Sequence, residues 1–290
     1  MSYQTSMSIL RESWSVLRQD SELIWFPVIS TLATIVLLAL ILGTGFLIPS
    51  IGDWALGLLE APLDGSLVSS SQVLAAIIGF LVYYLLYFVV IFCNTALVSC
   101  VLMRFEGGDP TVADGLRIAG TRLPQILAWT LLSAGVGAVL SAIEQRLSFV
   151  GRIIIKLIGV GWSIATYFVV PILAAEGRGP IDSVKRSAQL LRASWGEGLI
   201  GNIGLGLISG FAFLVISAIV ALMLWGSIAL ESTMMTAATV VFCIAAVVIM
   251  STLSQIFLAG LYRFATTGEV ASGFTSSSFQ GAFTSKVEKE

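Results

Sequence analysis

Residues able to do covalent or acid–base chemistry are scarce in this chain, and their positions limit what they can do. There is no histidine, so the side chain that most often titrates or binds metal near neutral pH is missing. The three cysteines, Cys93, Cys100 and Cys243, all fall inside apolar runs. There a thiol acts as a small hydrophobe, and the spacing fits neither a metal site nor a disulfide framework. The acids that remain are carboxylates. The best placed, Glu176 and Glu197, flank one charged stretch at the point where apolar runs stop and restart. With no nucleophile motif and no cofactor signature, the expectation is a protein that is not an enzyme and holds neither cofactor nor metal.

The elements that must position these residues are set by composition. The chain has 290 residues, 57% hydrophobic and 11% charged, against roughly 25% charged in an ordinary soluble chain. Water could not cover that much apolar surface, so the bilayer is part of the solvent. A net charge of -2 offers no basic field for nucleic acid. The fold class that follows is an all-α polytopic transmembrane bundle of about six spans with cytoplasmic interfacial helices. The spans are expected at about 25–48, 73–103, 124–143, 153–175, 199–224 and 236–264, and the interfacial helices at 2–22, 111–123 and 180–195. Residues 1–268 form one transmembrane domain, and 269–290 a flexible cytoplasmic tail with Phe274, Phe279 and Phe283 as docking points. The first apolar run has no short core with a cleavage site, so it reads as a retained span.

The first interfacial helix carries Tyr3, Met7, Leu10, Trp14 and Leu17 as an apolar stripe, with Arg11 and Arg18 beside it. Of the fifteen Lys and Arg residues, only Arg146, Arg152 and Lys156 fall on the opposite side. Both termini are therefore expected in the cytoplasm of a prokaryotic inner membrane. Leu10–Arg18 and Val184–Arg192 also resemble each other, and 111–143 reads as a degenerate third copy. The recurring unit would be a surface helix followed by a membrane hairpin.

Most specific information lies between Gly159 and Asn202. Trp162 and Thr166 precede Pro171, which should kink the fourth span near its end. Thr166 is placed to satisfy a carbonyl that the kink frees. Glu176, Gly177, Gly179 and Pro180 turn the chain, and Pro180 suits a first helical position. The helix that follows has Ile181, Val184, Ala188 and Leu191 on one face and Lys185, Arg186, Gln189 and Arg192 on the other. Trp195, Gly196 and Glu197 mark re-entry. Arg104, Arg178 and Arg263 end other spans at the same surface, and a belt of ion pairs is expected there. Within the spans, Tyr83, Tyr84, Tyr87, Asn94 and Gln255 are the candidates for a cavity wall. Ser133, Gly137 and Ser141 form a small-residue seam, as do Asn202, Gly206 and Gly210.

The run Gly161–Pro171, then Glu176–Pro180, then Lys185-Arg186-Ser187-Ala188 through Glu197, resembles a family of prokaryotic multi-pass membrane proteins known only as a domain of unknown function. Ser13-Trp14, Phe26-Pro27 and the Phe274 to Phe283 ending look like that family's ends. More distantly, the helix with Lys185-Arg186-Ser187 is similar to membrane domains attached to some glycerophosphodiester phosphodiesterases. The resemblance implies an architecture and no activity.

Two functions fit. The first is a membrane organiser or adaptor holding lipid or a partner protein on Arg11, Trp14, Arg18, Lys185, Arg186, Arg192 and Trp195. Trp162, Thr166, Pro171, Glu176, Gly179, Pro180, Ser187, Gly196 and Glu197 would serve it as hinge or structural motif. The second is a transporter or channel for a small or amphiphilic solute, using the Pro171 kink and the polar span residues. Membrane lipids are the expected partners, with a second membrane or cytoplasmic protein or further copies of this chain beside them.

Overall fold

A computed structural model describes residues 3–47, 70–195, 220 and 233–275. Every element among them is helical. Helix α1 is Tyr3–Gln19, and a 3-10 turn, Ser21–Ile24, leads into α2, Trp25–Leu47. Then come α3 (Ser70–Phe105), α4 (Val112–Thr121), α5 (Leu123–Arg146), α6 (Phe149–Ala165), α7 (Val169–Ala175), α8 (Pro180–Trp195) and α9 (Thr233–Thr267). Among the described residues, five stretches are long and apolar enough to cross a membrane: Ser21–Thr44, Ala76–Phe105, Leu123–Arg146, Phe149–Ala175 and Thr233–Thr267. The span expected at 199–224, the loop 49–69, Phe279 and Phe283 lie outside the described residues.

Helix α3 has 36 residues, about 54 Å at 1.5 Å per residue, against a hydrocarbon core of about 30 Å. Its two halves have different solvents. Val73, Leu74, Ile77 and Leu81 are exposed, whereas Ala96, Leu97, Val98 and Val101 are completely buried. The same division runs through every span. Leu32 to Leu42, Leu131 to Ile143, Phe149 to Ile164 and Met234 to Val247 supply the exposed large hydrophobics. Phe26, Ile126, Phe168, Ile172, Ile256 and Leu261 supply the core. One buried cluster therefore sits at one end of the bundle, and the rest of each span presents its apolar side chains outward, as a lipid-facing surface does. Helices α2 and α5 leave this end, and α3, α6–α7 and α9 arrive at it. We call it the elbow end, because α1, α4 and α8 all pack there.

The surface helices α1, α4 and α8 each precede a span that arrives at the elbow end, namely α3, α6–α7 and α9, and α1 and α8 share one burial pattern at matched positions. In α1, Ser13, Val16 and Leu17 are buried while Arg11 and Arg18 are exposed. At the matching positions of α8, Ser187, Leu190 and Leu191 are buried while Lys185 and Arg192 are exposed. In α4 the match is partial: Gly115 and Ala119 are buried, Ile118 is half-buried, and the exposed positions that carry cations in the other two helices hold Ala113 and Gly120. Gly115 stands where the other copies have serine because the site is tighter. A Cβ there would lie 2.6 Å from Cys100 Sγ and 2.7 Å from Phe26 Cζ. The arriving spans also end alike. Gly107, Gly177 and Gly268 close α3, α7 and α9 with positive φ of 87°, 60° and 74°. That left-handed cap lets the last carbonyls be met, as by Gly177 N–H on Ile172 O at 3.1 Å and Gly268 N–H on Phe264 O at 2.9 Å.

The structure alters several sequence expectations. The stripe that α1 buries is Ile9, Ser13, Val16, Leu17 and Asp20, so Trp14 is exposed on the other face, with Arg18 over its ring at 6.0 Å. In α8 the buried stripe passes through Ser183 and Ser187, and Ile181 is exposed. In α8 the buried serines answer backbone groups, Ser183 the Arg178 carbonyl and Ser187 the Phe168 N–H, whereas Ser13 Oγ in α1 is buried with no hydrogen-bond partner among the described residues. Span four does not bend at Pro171. It breaks at residues 166–168, one turn earlier, so Pro171 falls in the first turn of α7, where its missing N–H costs nothing. Residues 269–275, expected in the tail, pack back on the bundle. Phe274 is buried edge-on against Phe105, and Thr275 donates to Glu12 at 2.7 Å. Both ends of the described chain thus meet at the elbow end.

Arg122 lies over Gly177, and a Cβ on that glycine would fall inside the guanidinium. Around Gly107 a Cβ would meet nothing. Both substitutions to alanine carry a backbone cost of about 1 kcal/mol, but only Gly177→Ala must also move Arg122. Thermal unfolding in detergent should rank Gly177→Ala below Gly107→Ala, and adding Arg122→Ala should close the gap. Equal melting of the two single variants would contradict this packing.

Candidate functional site

The elbow end is built around Glu176. Its Oε1 accepts from Tyr262 Oη of α9 at 2.9 Å and from Arg186 Nε of α8 at 3.3 Å, and its Oε2 accepts from Arg178 Nε. The adjoining turn, the helix ten residues on and the distant α9 therefore converge on one mostly buried carboxylate. Burial alone would push its pKa up. The hydrogen bonds from Arg178, Tyr262 and Arg186 outweigh burial and hold it below the usual carboxylate value. Each partner helix is placed by local chemistry. Gly177 turns the chain, Pro180 starts α8, and Ser183 Oγ returns to Arg178 O at 3.3 Å.

About two turns before Glu176, at the break in span four, the Phe168 N–H turns toward α8. Ser187 Oγ of α8 takes it at 3.0 Å, with both residues fully buried. Thr166 Oγ1 donates to Trp162 O at 2.8 Å, on the α6 side of the break; that carbonyl already accepts from the Thr166 backbone N–H at 3.0 Å, so the threonine does not meet a carbonyl freed by Pro171. Trp162 stacks on Trp129 of α5 with ring centroids 6.2 Å apart. The anticipated structural residues Trp162, Thr166, Pro171, Glu176, Gly179, Pro180 and Ser187 thus lie along one continuous element. The Trp195 side chain and residues Gly196 and Glu197 lie outside the described residues.

The ion pairs form a belt. Arg104 meets Asp109 at 2.9 Å, and Arg263 meets Glu269 at 3.5 Å. Exposed pairs of this kind contribute about 0–1 kcal/mol each. Lys185 pairs with its neighbour Asp182 at 3.7 Å in full exposure. Arg186 differs from the surface role expected of it. Turned onto Glu176, it is committed to the interior, and Arg11, Trp14, Arg18, Lys185 and Arg192 remain on the outside.

The residues expected to line a cavity have other neighbours. Tyr84 Oη donates to Leu127 O at 3.2 Å, Tyr87 Oη lies 3.2 Å from Ser133 Oγ, and Tyr83 stacks on Tyr87. These contacts seat α3 on the small-residue seam of α5. Asn94 is half-buried on α3, and Gln255 on α9 keeps a buried Oε1 with no hydrogen-bond partner among the described residues. None of the five lines the cavity of about 320 Å³ at the elbow end. That cavity lies where α3, α7 and α9 finish, between Ser99, Met103 and Glu106, Ala175, and Tyr262 and Arg263. Sequence reasoning did not single out Tyr262, Glu106 or Arg122. The repeated Glu-Gly at 106–107 and 176–177 was the available signal, since it marks equivalent span ends.

These features define a polytopic helical membrane protein with a buried carboxylate network at one end of the bundle. The chain belongs to the family of unknown function DUF6159, which matches residues 73–274. No curated protein and no solved structure matches it, and the distant likeness to glycerophosphodiester phosphodiesterase membrane domains has no counterpart in these comparisons.

Two measurements test the site. Ser187→Ala removes the hydrogen bond that Ser187 Oγ accepts from the Phe168 N–H at a fully buried position, a loss of about 0.5–1.5 kcal/mol, which chemical or thermal unfolding in detergent should register. Because folded Glu176 titrates below its ordinary value of 4.5, its stabilisation is complete above that pH and is lost as pH falls through the folded value. Buried Asp20, raised above its ordinary 3.8 by burial and opposed by Arg104, acts in the reverse sense. Comparison with Glu176→Gln isolates the first contribution: the wild-type melting temperature should fall more steeply below about pH 4.5 than that of the variant.

Proposed function

We propose that this protein is a non-enzymatic membrane organiser that binds membrane lipid or a partner protein through the outer faces of α1 and α8. The observation that carries this reading is the division of the molecule. Its buried core and its polar network lie at the elbow end, and the faces left outside there carry Arg11, Trp14 and Arg18 on α1 and Lys185 and Arg192 on α8. An exposed tryptophan flanked by arginines suits an interface with anionic headgroups, where each cation near the surface is worth about 1 kcal/mol. On this reading the elbow end faces the cytoplasm of a prokaryotic cell, both termini lie there, and the positive charge distribution supports that orientation. The docked 269–275 segment and α1 would form the partner-facing rim.

A second reading, transport of a small or amphiphilic solute, draws on the broken fourth span and the cavity beside it. Solute flux in proteoliposomes separates the two, since an organiser moves none.

For the organiser, the quadruple change Arg11→Gln, Arg18→Gln, Lys185→Gln and Arg192→Gln should lower retention of phosphatidylglycerol, or of a co-purifying partner, by about tenfold or more. Native mass spectrometry from nanodiscs reads both. Unchanged retention of each would end the proposal.

A further inference from the structure

The three helix–hairpin units converge at one place. The cavity at the elbow end is bounded by the last turns of α3, α7 and α9, which are the arriving spans of units one, two and three. Glu106, Ala175 and Thr267 each stand one or two residues before the left-handed glycine that closes its span. In repeat-built membrane proteins the junction of the repeats is where ligands are held. Here that junction lies at span ends, the depth of lipid headgroups.

The lining has both signs of charge and a divided polarity. Arg263 borders the cavity with its Nε lacking a hydrogen-bond partner among the described residues, although its Nη2 reaches Glu269. Glu106 stands exposed at the rim with no ion pair among the described residues. Ser99, Thr266 and Thr267 also line the cavity, each hydroxyl donating to a carbonyl of its own helix, and Leu102, Met103 and Ile118 add apolar lining. A guanidinium with a free donor seeks a phosphate or carboxylate oxygen. A lone carboxylate seeks an ammonium. A volume near 320 Å³ is at the small end for ligand sites; it suits a headgroup and the start of its chains rather than a whole lipid.

We infer that this cavity binds a zwitterionic amino-phosphate headgroup, phosphate toward Arg263 and ammonium toward Glu106, with the adjoining carbons on Leu102, Met103 and Ile118. The site is interior and separate from the basic outer faces of α1 and α8, and it stands or falls without them. The headgroup belongs either to a phosphatidylethanolamine-type lipid or to a free aminoalkyl phosphate.

The test is native mass spectrometry of the full chain from nanodiscs of equal phosphatidylethanolamine and phosphatidylglycerol, with a thermal-shift titration of free phosphoethanolamine in detergent. One retained phosphatidylethanolamine identifies a lipid source. A shift with phosphoethanolamine and no lipid preference identifies a soluble one, and both support the inference. Arg263→Gln should reduce occupancy about tenfold. Glu106→Lys, at an exposed position that leaves folding intact, should turn the preference toward phosphatidylglycerol. The quadruple outer-face variant should change neither. Absence of both lipid selectivity and thermal shift, or a Glu106→Lys protein that binds as the wild type does, would overturn the assignment.

Discussion

A carboxylate taken out of water at the end of a membrane span must be met by donors, and the arrangement of the elbow end follows from that requirement. Glu176 is answered by Arg178 from the turn, Arg186 from α8 and Tyr262 from α9. No single neighbouring segment could satisfy it. The partners arrive only if α8 folds back beside α7 and α9 ends at the same depth. The glycine at 177 makes the first of these conditions achievable, and its lack of a Cβ leaves room for the Arg122 guanidinium. The ion pairs around this centre are mostly exposed and contribute little singly. Their value lies in fixing where each span stops.

The break in span four depends on the same helix. A membrane helix interrupted at residues 166–168 exposes backbone donors that lipid cannot satisfy. Ser187 reaches the Phe168 N–H, so α8 serves as part of the span's hydrogen bonding as well as a surface element. This explains why the buried face of α8 contains Ser183 and Ser187 where amphipathic patterning calls for apolar residues. The same position in α4 is Gly115, whose neighbours leave no room for a side chain. The serine of α8 and the glycine of α4 thus meet different local crowding at matched positions. The bundle is consequently tight at one end, and along the rest of the spans the apolar side chains face outward.

Much of the fold is legible along the chain. Apolar runs of span length, the Gly-Pro punctuation at 107–110 and 177–180, and Pro180 at a helix start determine the helices and their order. The Leu10–Arg18 and Val184–Arg192 likeness discloses the recurring unit, since matched side chains must meet matched surroundings. Thr166, Glu176 and Ser187 could be recognised as structural, because a polar residue at a span's edge has few tolerable fates. Absence of histidine and the placement of the cysteines bounded the chemistry in the same way. These are properties of local sequence: hydrophobic transfer, backbone freedom and helix capping act over a turn or two.

Only the tertiary structure decided which polar groups meet. That Arg186 turns inward while Lys185 and Arg192 remain outside is invisible in a helical projection, because the difference is made by Glu176 ten residues earlier and Tyr262 on another helix. That Tyr84 and Tyr87 bond to α5 rather than line a cavity depends on how α3 packs against the Ser133 seam. The cavity between α3, α7 and α9 belongs to no segment, and Glu106, Tyr262 and Arg263 acquire a common address only when three span ends converge. Hydropathy and capping are written residue by residue. The partner of a charge is a matter of distance in three dimensions, and the chain had to fold before that distance existed.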